Sequence, residues 1–176
     1  MILTPRPSLY FDLDYLGGAG AYVDEVYEVI KKGPLFEEFS RQETEALCQF
    51  MHCFAASRES VLLSEGEEGD YLLLLLSGEV EVRKQHQPGQ SMVIATVGPG
   101  TSLGEMSLID GERRFATCVG IVPSDFAVMT RADLNEILLI YPRLANKFLI
   151  KLLQISVSRL RDTGVRMLTN YFSPRP

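Results

Sequence analysis

Between Gly104 and Thr117 the chain reads GEMSLIDGERRFAT, and the types and spacing of these residues suit the binding of a small anion. Gly104 follows a Pro-Gly turn, and with no Cβ its backbone N–H can approach a ligand closely. Glu105 is an anionic acceptor suited to a pair of donor hydroxyls such as a ribose edge. The apolar MSLI that follows reads as one short helical turn, whose free N–H groups and positive end attract phosphate. Arg114 returns from the far side of that turn with a planar cationic fork, the natural partner of a phosphate. Together they outline a pocket for a compact sugar-phosphate anion. Each charge also has a plainer reading: Glu105 as an exposed turn residue paired with Arg113, and Arg114 paired with Glu112 or Asp110.

Other chemistry is harder to assemble. Cys48, His52 and Cys53 stand close enough on an expected helix to suggest a metal, yet the thiols are expected to pack as small buried hydrophobes. His86 is the only other histidine, placed in a polar turn, so no metal is expected. Two scattered histidines also exclude a metal-dependent enzyme on a β-roll, which needs clustered imidazole ligands. Three cysteines make no disulfide framework. A net charge of −6 leaves no basic field for nucleic acid or an anionic membrane. The longest apolar run, YLLLLL at 71–76, is far short of the ~20 residues that span a bilayer. The N-terminus MILTPRPSLYFDLDYLGG carries prolines and aspartates where a signal peptide needs a basic start and an apolar stretch, so a cytoplasmic protein is expected.

The elements that must position the pocket follow from periodicity. Residues 1–19 read as irregular, with Pro5, Pro7 and the Gly17-Gly18 pair, and Tyr10, Phe11 and Tyr15 there are assigned to packing. A helix is predicted over AYVDEVYEVIKK, ended by Gly33-Pro34. A second helix opens at Ser40, with Glu43 completing a capping box and Leu47, Phe50 and Met51 as its apolar stripe. From about Ser60 short strands alternate with glycine turns up to Met129, the pattern of an antiparallel barrel or roll. Thr130 with Asp133 caps a short helix, and Pro142 opens a longer one running to about Leu168. That last helix carries Leu144, Phe148, Leu152 and Ile155 on one side and Ile150, Leu153, Val157 and Leu160 on another. It therefore has two faces to bury, one on the roll and one, spaced like a coiled-coil seam, on a partner. The plainer alternative is that it only closes the core.

GEMSLIDGERRFAT resembles the phosphate-binding cassette of the cyclic-nucleotide-binding domain family. The resemblance runs from about Pro34 to Arg161, through PLFEEFS, EGEEGDYLLLLLSGEVEV, VGPGTSLGE and TRADLNEILLIYPRLANKFLIKLL. It implies a mainly β fold with flanking helices: an eight-stranded antiparallel β-roll with N-terminal helices and C-terminal hinge helices. The implied organisation is an arm and amphipathic helix over 1–33, the nucleotide-binding domain over 34–168 with its roll at about 60–129 and its C-terminal helices at about 131–168, and a tail over 169–176. The implied ligand-binding set is Leu103, Gly104, Glu105, Met106, Ser107, Arg114, Phe115 and Ala116. Glu105 matches the acid that takes the ribose 2′-hydroxyl, and Arg114 the arginine that pairs with the phosphate. A residue of the last helix between Arg159 and Thr163 would cap the base.

Phe115 departs from the family, which usually places a small residue there. A ring facing the pocket would obstruct the phosphate; a ring facing the hydrophobic hinge would not, and the retained Glu105 and Arg114 favour the hinge. The expected function is a non-enzymatic, cyclic-nucleotide-sensing regulatory module. It would bind cAMP or cGMP without a cofactor and signal to a separate effector protein by moving its C-terminal helix, with a homodimer possible through that helix. The alternative is an interaction or dimerisation module whose pocket Phe115 has closed. RMLTNYFSPRP after the long helix has no room for recognition helices, so DNA binding by this chain itself is not expected.

Overall fold

A computed structural model describes residues 13–33, 38–87 and 89–172, with side chains described as far as Val165. Pro5, Pro7, Tyr10, Phe11 and most of PLFEEFS lie outside the described residues. The elements in chain order begin with β1 (Asp14–Gly18), a 3-10 turn, α1 (Val23–Ile30), α2 (Arg41–Cys48), β2 (His52–Ala56) and β3 (Val61–Leu63). Next come β4 (Tyr71–Ser77), β5 (Val80–Gln87), β6 (Gln90–Val97), β7 (Ser102–Leu103) and α3 (Glu105–Asp110). The chain continues through β8 (Thr117–Gly120), β9 (Ser124–Thr130), α4 (Arg131–Ile140) and α5 (Pro142–Phe172). The fold is α+β. A five-stranded sheet in the order β1-β2-β9-β4-β7 faces a four-stranded sheet in the order β3-β8-β5-β6, and every pairing is antiparallel.

The unbroken leucines of β4 are explained by burial on both faces. Leu73 and Leu75 point into the roll, beside Phe126 and Val128 of β9 and Val80 of β5. Leu72 and Leu74 point outward into a second core with Ala127, Met129, Leu134, Ile137, Phe148 and Leu152. One sheet thus separates two cores, and the outer core docks the hinge helices α4 and α5. The buried side of α5 is the one expected, with Phe148 and Leu152 fully buried.

Both predicted capping boxes are present. Ser40 Oγ accepts from Glu43 N–H at 3.2 Å while Glu43 Oε2 accepts from Ser40 N–H at 2.8 Å. Thr130 and Asp133 repeat the exchange at 3.1 and 2.8 Å. Glu43 also receives Lys147 Nζ at 2.8 Å, which ties α2 to α5.

Three expectations need correction. The second helix ends at Cys48, and His52 and Cys53 stand in β2 instead of on a helix. HCFAA is paired on both sides, with β1 and β9, and a ladder on each edge outweighs the helical period of four apolar residues. The roll consequently begins before residue 60. The N-terminal segment is not wholly irregular, because Asp14–Gly18 adds β1 to the larger sheet, and the described residues form nine strands in place of eight. Tyr15 holds it there, 5.3 Å from the Phe54 ring and with its hydroxyl 3.2 Å from His52 Nδ1. His86 lies within β5, not in a turn.

Candidate anion-binding site

β4 and β7 present the site. Leu103 pairs with Leu73, and the chain then turns at Gly104, whose φ of +79° is left-handed and admits glycine readily. A Cβ at Gly104 would stand 2.5 Å from Arg114 Nη1 and 3.1 Å from the Tyr71 carbonyl oxygen, so this position is closed to any side chain. α3 follows, ends at a second left-handed glycine, Gly111, and returns the chain toward Arg114.

Arg114 is the unusual residue of the molecule. It is only 4% exposed, and among the described residues no carboxylate pairs with it. Neither Glu112 nor Asp110 takes it; Asp110 instead accepts from the Glu112 N–H at 2.9 Å. Nη1 donates to the Gly104 carbonyl at 2.9 Å, Cζ lies 4.4 Å from the Tyr71 ring centroid, and Nη2 is buried with no hydrogen-bond partner. Its backbone is held by the turn before β4: Arg114 N–H donates to Glu67 O at 2.8 Å, and Arg114 O accepts from Gly66 N–H at 2.9 Å. A buried, uncompensated guanidinium with an idle donor is a costly arrangement that an anion would relieve.

Glu105 is 2% exposed and does not pair with Arg113. Arg113 is exposed, donates to Gly66 O at 2.8 Å and stands 3.7 Å from Glu68. The partner of Glu105 Oε1 is Arg159 Nη1, from α5, while Arg159 Nη2 donates to the Ser102 carbonyl at 2.9 Å. Arg159, one end of the expected base-capping stretch, thus reaches the site through the acid. Thr163 does not come with it, because its hydroxyl donates back to the Arg159 carbonyl at 2.8 Å within α5. Arg159 also borders a cleft of about 160 Å³ with Gly100, Thr101, Ser102, Ile155 and Ser158. A larger groove of about 470 Å³ lies at the α2–α5 junction and includes none of these site residues.

The remaining expected residues divide. Ser107 is buried, and its carbonyl accepts from Arg131 Nη2 of α4 at 2.5 Å. Ala116 is buried, whereas Met106 is 47% exposed on the outer side of α3. Phe115 faces neither the pocket nor the hinge. Its ring is 54% exposed and lies under Lys84 Nζ at 4.4 Å, and its carbonyl accepts from that ammonium at 2.6 Å. Lys84 also pairs with Glu65 Oε1 at 2.6 Å, and Gln85 N–H donates to Oε2 at 2.8 Å, which holds the Glu65 carboxyl below its ordinary range. The expected hinge contact is therefore absent for a physical reason: β5 offers a cation to both the ring and the carbonyl.

Sequence reasoning passed over Tyr71, Gly69 and Lys84. A Cβ on Gly69 would fall 2.0 Å from Arg114 Nε, so Gly69 is small because the guanidinium lies against it. Tyr71 is masked by the apolar run it opens, and Lys84 by the ordinary alternation of a half-exposed strand. Among the described residues no three His, Cys, Asp or Glu side chains gather as a metal site, and no helix is long and apolar enough to cross a membrane.

Comparison with known proteins identifies the family of the fold. A family model described as cyclic nucleotide-binding domain matches residues 54–141. The crystal structure of a cyclic nucleotide-binding domain from Methylobacillus flagellatus KT superposes with a TM-score of 0.85 at 44% identity, covering 98% of this chain and 100% of that one. The cyclic AMP receptor protein of Thermus thermophilus is 26% identical over 138 residues, 78% of this chain and 62% of the receptor. A cAMP-dependent protein kinase regulatory subunit of Mycosarcoma maydis is 29% identical over 103 residues, 58% of this chain and 19% of the subunit. The chain thus spans less than two thirds of these two curated relatives. With a matching model across half its length and a solved structure 44% identical across 98% of it, the chain belongs to the cyclic nucleotide-binding domain family.

Proposed function

We propose that the chain is a regulatory, non-catalytic module that binds cAMP or cGMP at this site and signals to a separate effector through α5. The observation that carries the reading is Arg114: a buried cation that no carboxylate among the described residues pairs with, its Nη2 idle and its Nη1 on the carbonyl of Gly104, the residue before the buried acid Glu105. A cyclic phosphate satisfies the first and ribose hydroxyls the second, through Gly104, Met106, Ser107 and the Phe115–Ala116 backbone between them. The names of the receptor and kinase-subunit relatives support cAMP as the first ligand to try. Arg159 gives α5 a direct hold on Glu105, so occupancy of the acid and the position of the helix are linked. To signal, the ligand must bind one α5 position better than another.

α5 also supplies an output surface. Ile150, Leu153, Val157 and Leu160 are 56, 59, 38 and 72% exposed along one face, at the spacing of a coiled-coil seam. We assign this face to a second copy of the chain or to the effector. The thiols are inert packing groups, since burial pushes Cys48 and Cys118 up to about 12 and Cys53 to about 11, leaving each protonated.

One observation favours the second reading, an interaction module without a ligand: Arg159 already satisfies one oxygen of Glu105. Calorimetric titration with cAMP and cGMP, beside an Arg114→Ala control, separates the two. Micromolar binding lost in the control supports the sensor. A folded protein that stays silent at millimolar ligand leaves the interaction module.

A further inference from the structure

We propose that Tyr71 is a positioning residue for the anion site, its ring bearing the Arg114 guanidinium in place of a carboxylate so that the charge is left whole for phosphate. The inference rests on the nucleotide-binding reading and names the device that keeps that site's cation available.

A buried arginine needs something to hold its plane, and an acidic partner would hold it best. Such a partner would also cancel the charge and compete with an incoming phosphate. Acidic residues are at hand in the turn EGEEGD, yet Glu67 contributes only its backbone carbonyl and Asp70 likewise accepts from Arg131 N–H through its own. The guanidinium lies over the Tyr71 ring at 4.4 Å instead, where the electron-rich face attracts a cation without neutralising it. The ring itself is fixed. Tyr71 is 5% exposed, its backbone is paired with Thr130 of β9, and its hydroxyl donates to the Leu62 carbonyl at 3.4 Å. Burial pushes the phenol's acidity weaker, outweighing the opposing charge of Arg114 and the hydrogen bonding it offers the phenol, so the ring stays neutral. Gly69 and Gly104 complete the seat, since a Cβ on either would collide with the guanidinium. The side chain thus has one orientation, with Nη1 on the Gly104 carbonyl and Nη2 left over.

The test uses Tyr71→Leu, which removes the aromatic face, and Tyr71→Phe, which keeps it. Each is titrated with cAMP and cGMP, and with adenosine and guanosine, which carry the same bases and sugar but no phosphate. Tyr71→Leu is expected to weaken the cyclic nucleotides by about tenfold to thirtyfold, the worth of a desolvated cation–π contact, while nucleoside binding stays at the parent level. Tyr71→Phe is expected to stay close to the parent for every ligand. Nuclear magnetic resonance of the Arg114 Nε–Hε group, assigned with Arg114→Lys, reads the stacking without any ligand and even in a destabilised variant. Its signal is expected to be ring-shifted in the parent and in Tyr71→Phe, and to lose the shift in Tyr71→Leu. An unshifted parent signal overturns the proposal, as does cyclic-nucleotide binding by Tyr71→Leu at the parent level, or an equal loss for nucleotide and nucleoside. A parent that shows the shift but binds no nucleotide instead removes the sensing function, and the ring is then packing alone.

Discussion

The two ends of the cassette, Arg114 and Glu105, are built on opposite electrostatic plans. At one end Arg114 is buried with no counter-charge among the described residues, seated on an aromatic ring and two glycines. At the other Glu105 is equally buried but already engaged, by an arginine whose side chain is 43% exposed and belongs to a different element. On the proposed sensing function, the difference separates two tasks. An uncompensated charge favours whatever anion can reach it, which is binding. A charge compensated from a distant helix connects that helix to the site, which is transmission.

This contrast predicts substitutions of unlike sign. Arg114→Ala is expected to have the largest effect on binding, a loss of about 2–5 kcal/mol measured by calorimetry. The same substitution should leave stability without ligand unchanged or raised, because it removes a buried unpaired cation. A clear fall in melting temperature would mean that Arg114 is structural after all. Arg159→Gln should cost about 1–3 kcal/mol in urea unfolding, since it strands the buried Glu105 carboxylate. Glu105→Gln strands only the half-exposed Arg159 and should cost less. If both cost the same, α5 is not coupled to the acid as described.

A smaller effect is expected at the outer face of α5. Leu153→Glu should convert a dimer to a monomer by light scattering if that face meets a second copy, with little change in nucleotide affinity. A monomeric parent would instead assign the face to the effector. The smallest effect concerns Glu43, whose carboxyl is held below its ordinary value chiefly by the Lys147 ammonium. For a carboxyl lowered on folding, the contribution to stability is complete above the unfolded value, 4.5, and disappears as the pH falls through the folded one. Lys147→Met should therefore lower the melting temperature at about pH 6, and the difference from the parent should shrink as the pH is taken below the unfolded value and the parent loses the same contribution.

Much of this was legible because it is local. Both capping boxes were readable from Ser40–Glu43 and Thr130–Asp133, since each is made within one helical turn. The double-faced α5 was readable from its apolar spacing, and Gly104, Glu105 and Arg114 from the cassette pattern. What failed was non-local. The segment before Ala19 is a strand only because β2 offers an edge to it, and His52 and Cys53 left their expected helix because β1 and β9 flank them. The sequence around Phe115 offers only pocket or hinge, while its actual neighbour, Lys84, stands on another strand.

The sequence by itself determined the family, because the cassette and the segments around it follow that family's pattern in order, and it determined that α5 must bury one face and offer another. Only the tertiary structure decided which arginine is buried. Arg113 and Arg114 are adjacent and chemically identical, yet one meets solvent and Glu68 while the other meets Gly69, Gly104 and Tyr71. That choice depends on contacts between β4, β7 and the return from α3. Their separation along the chain is what kept it out of the pattern.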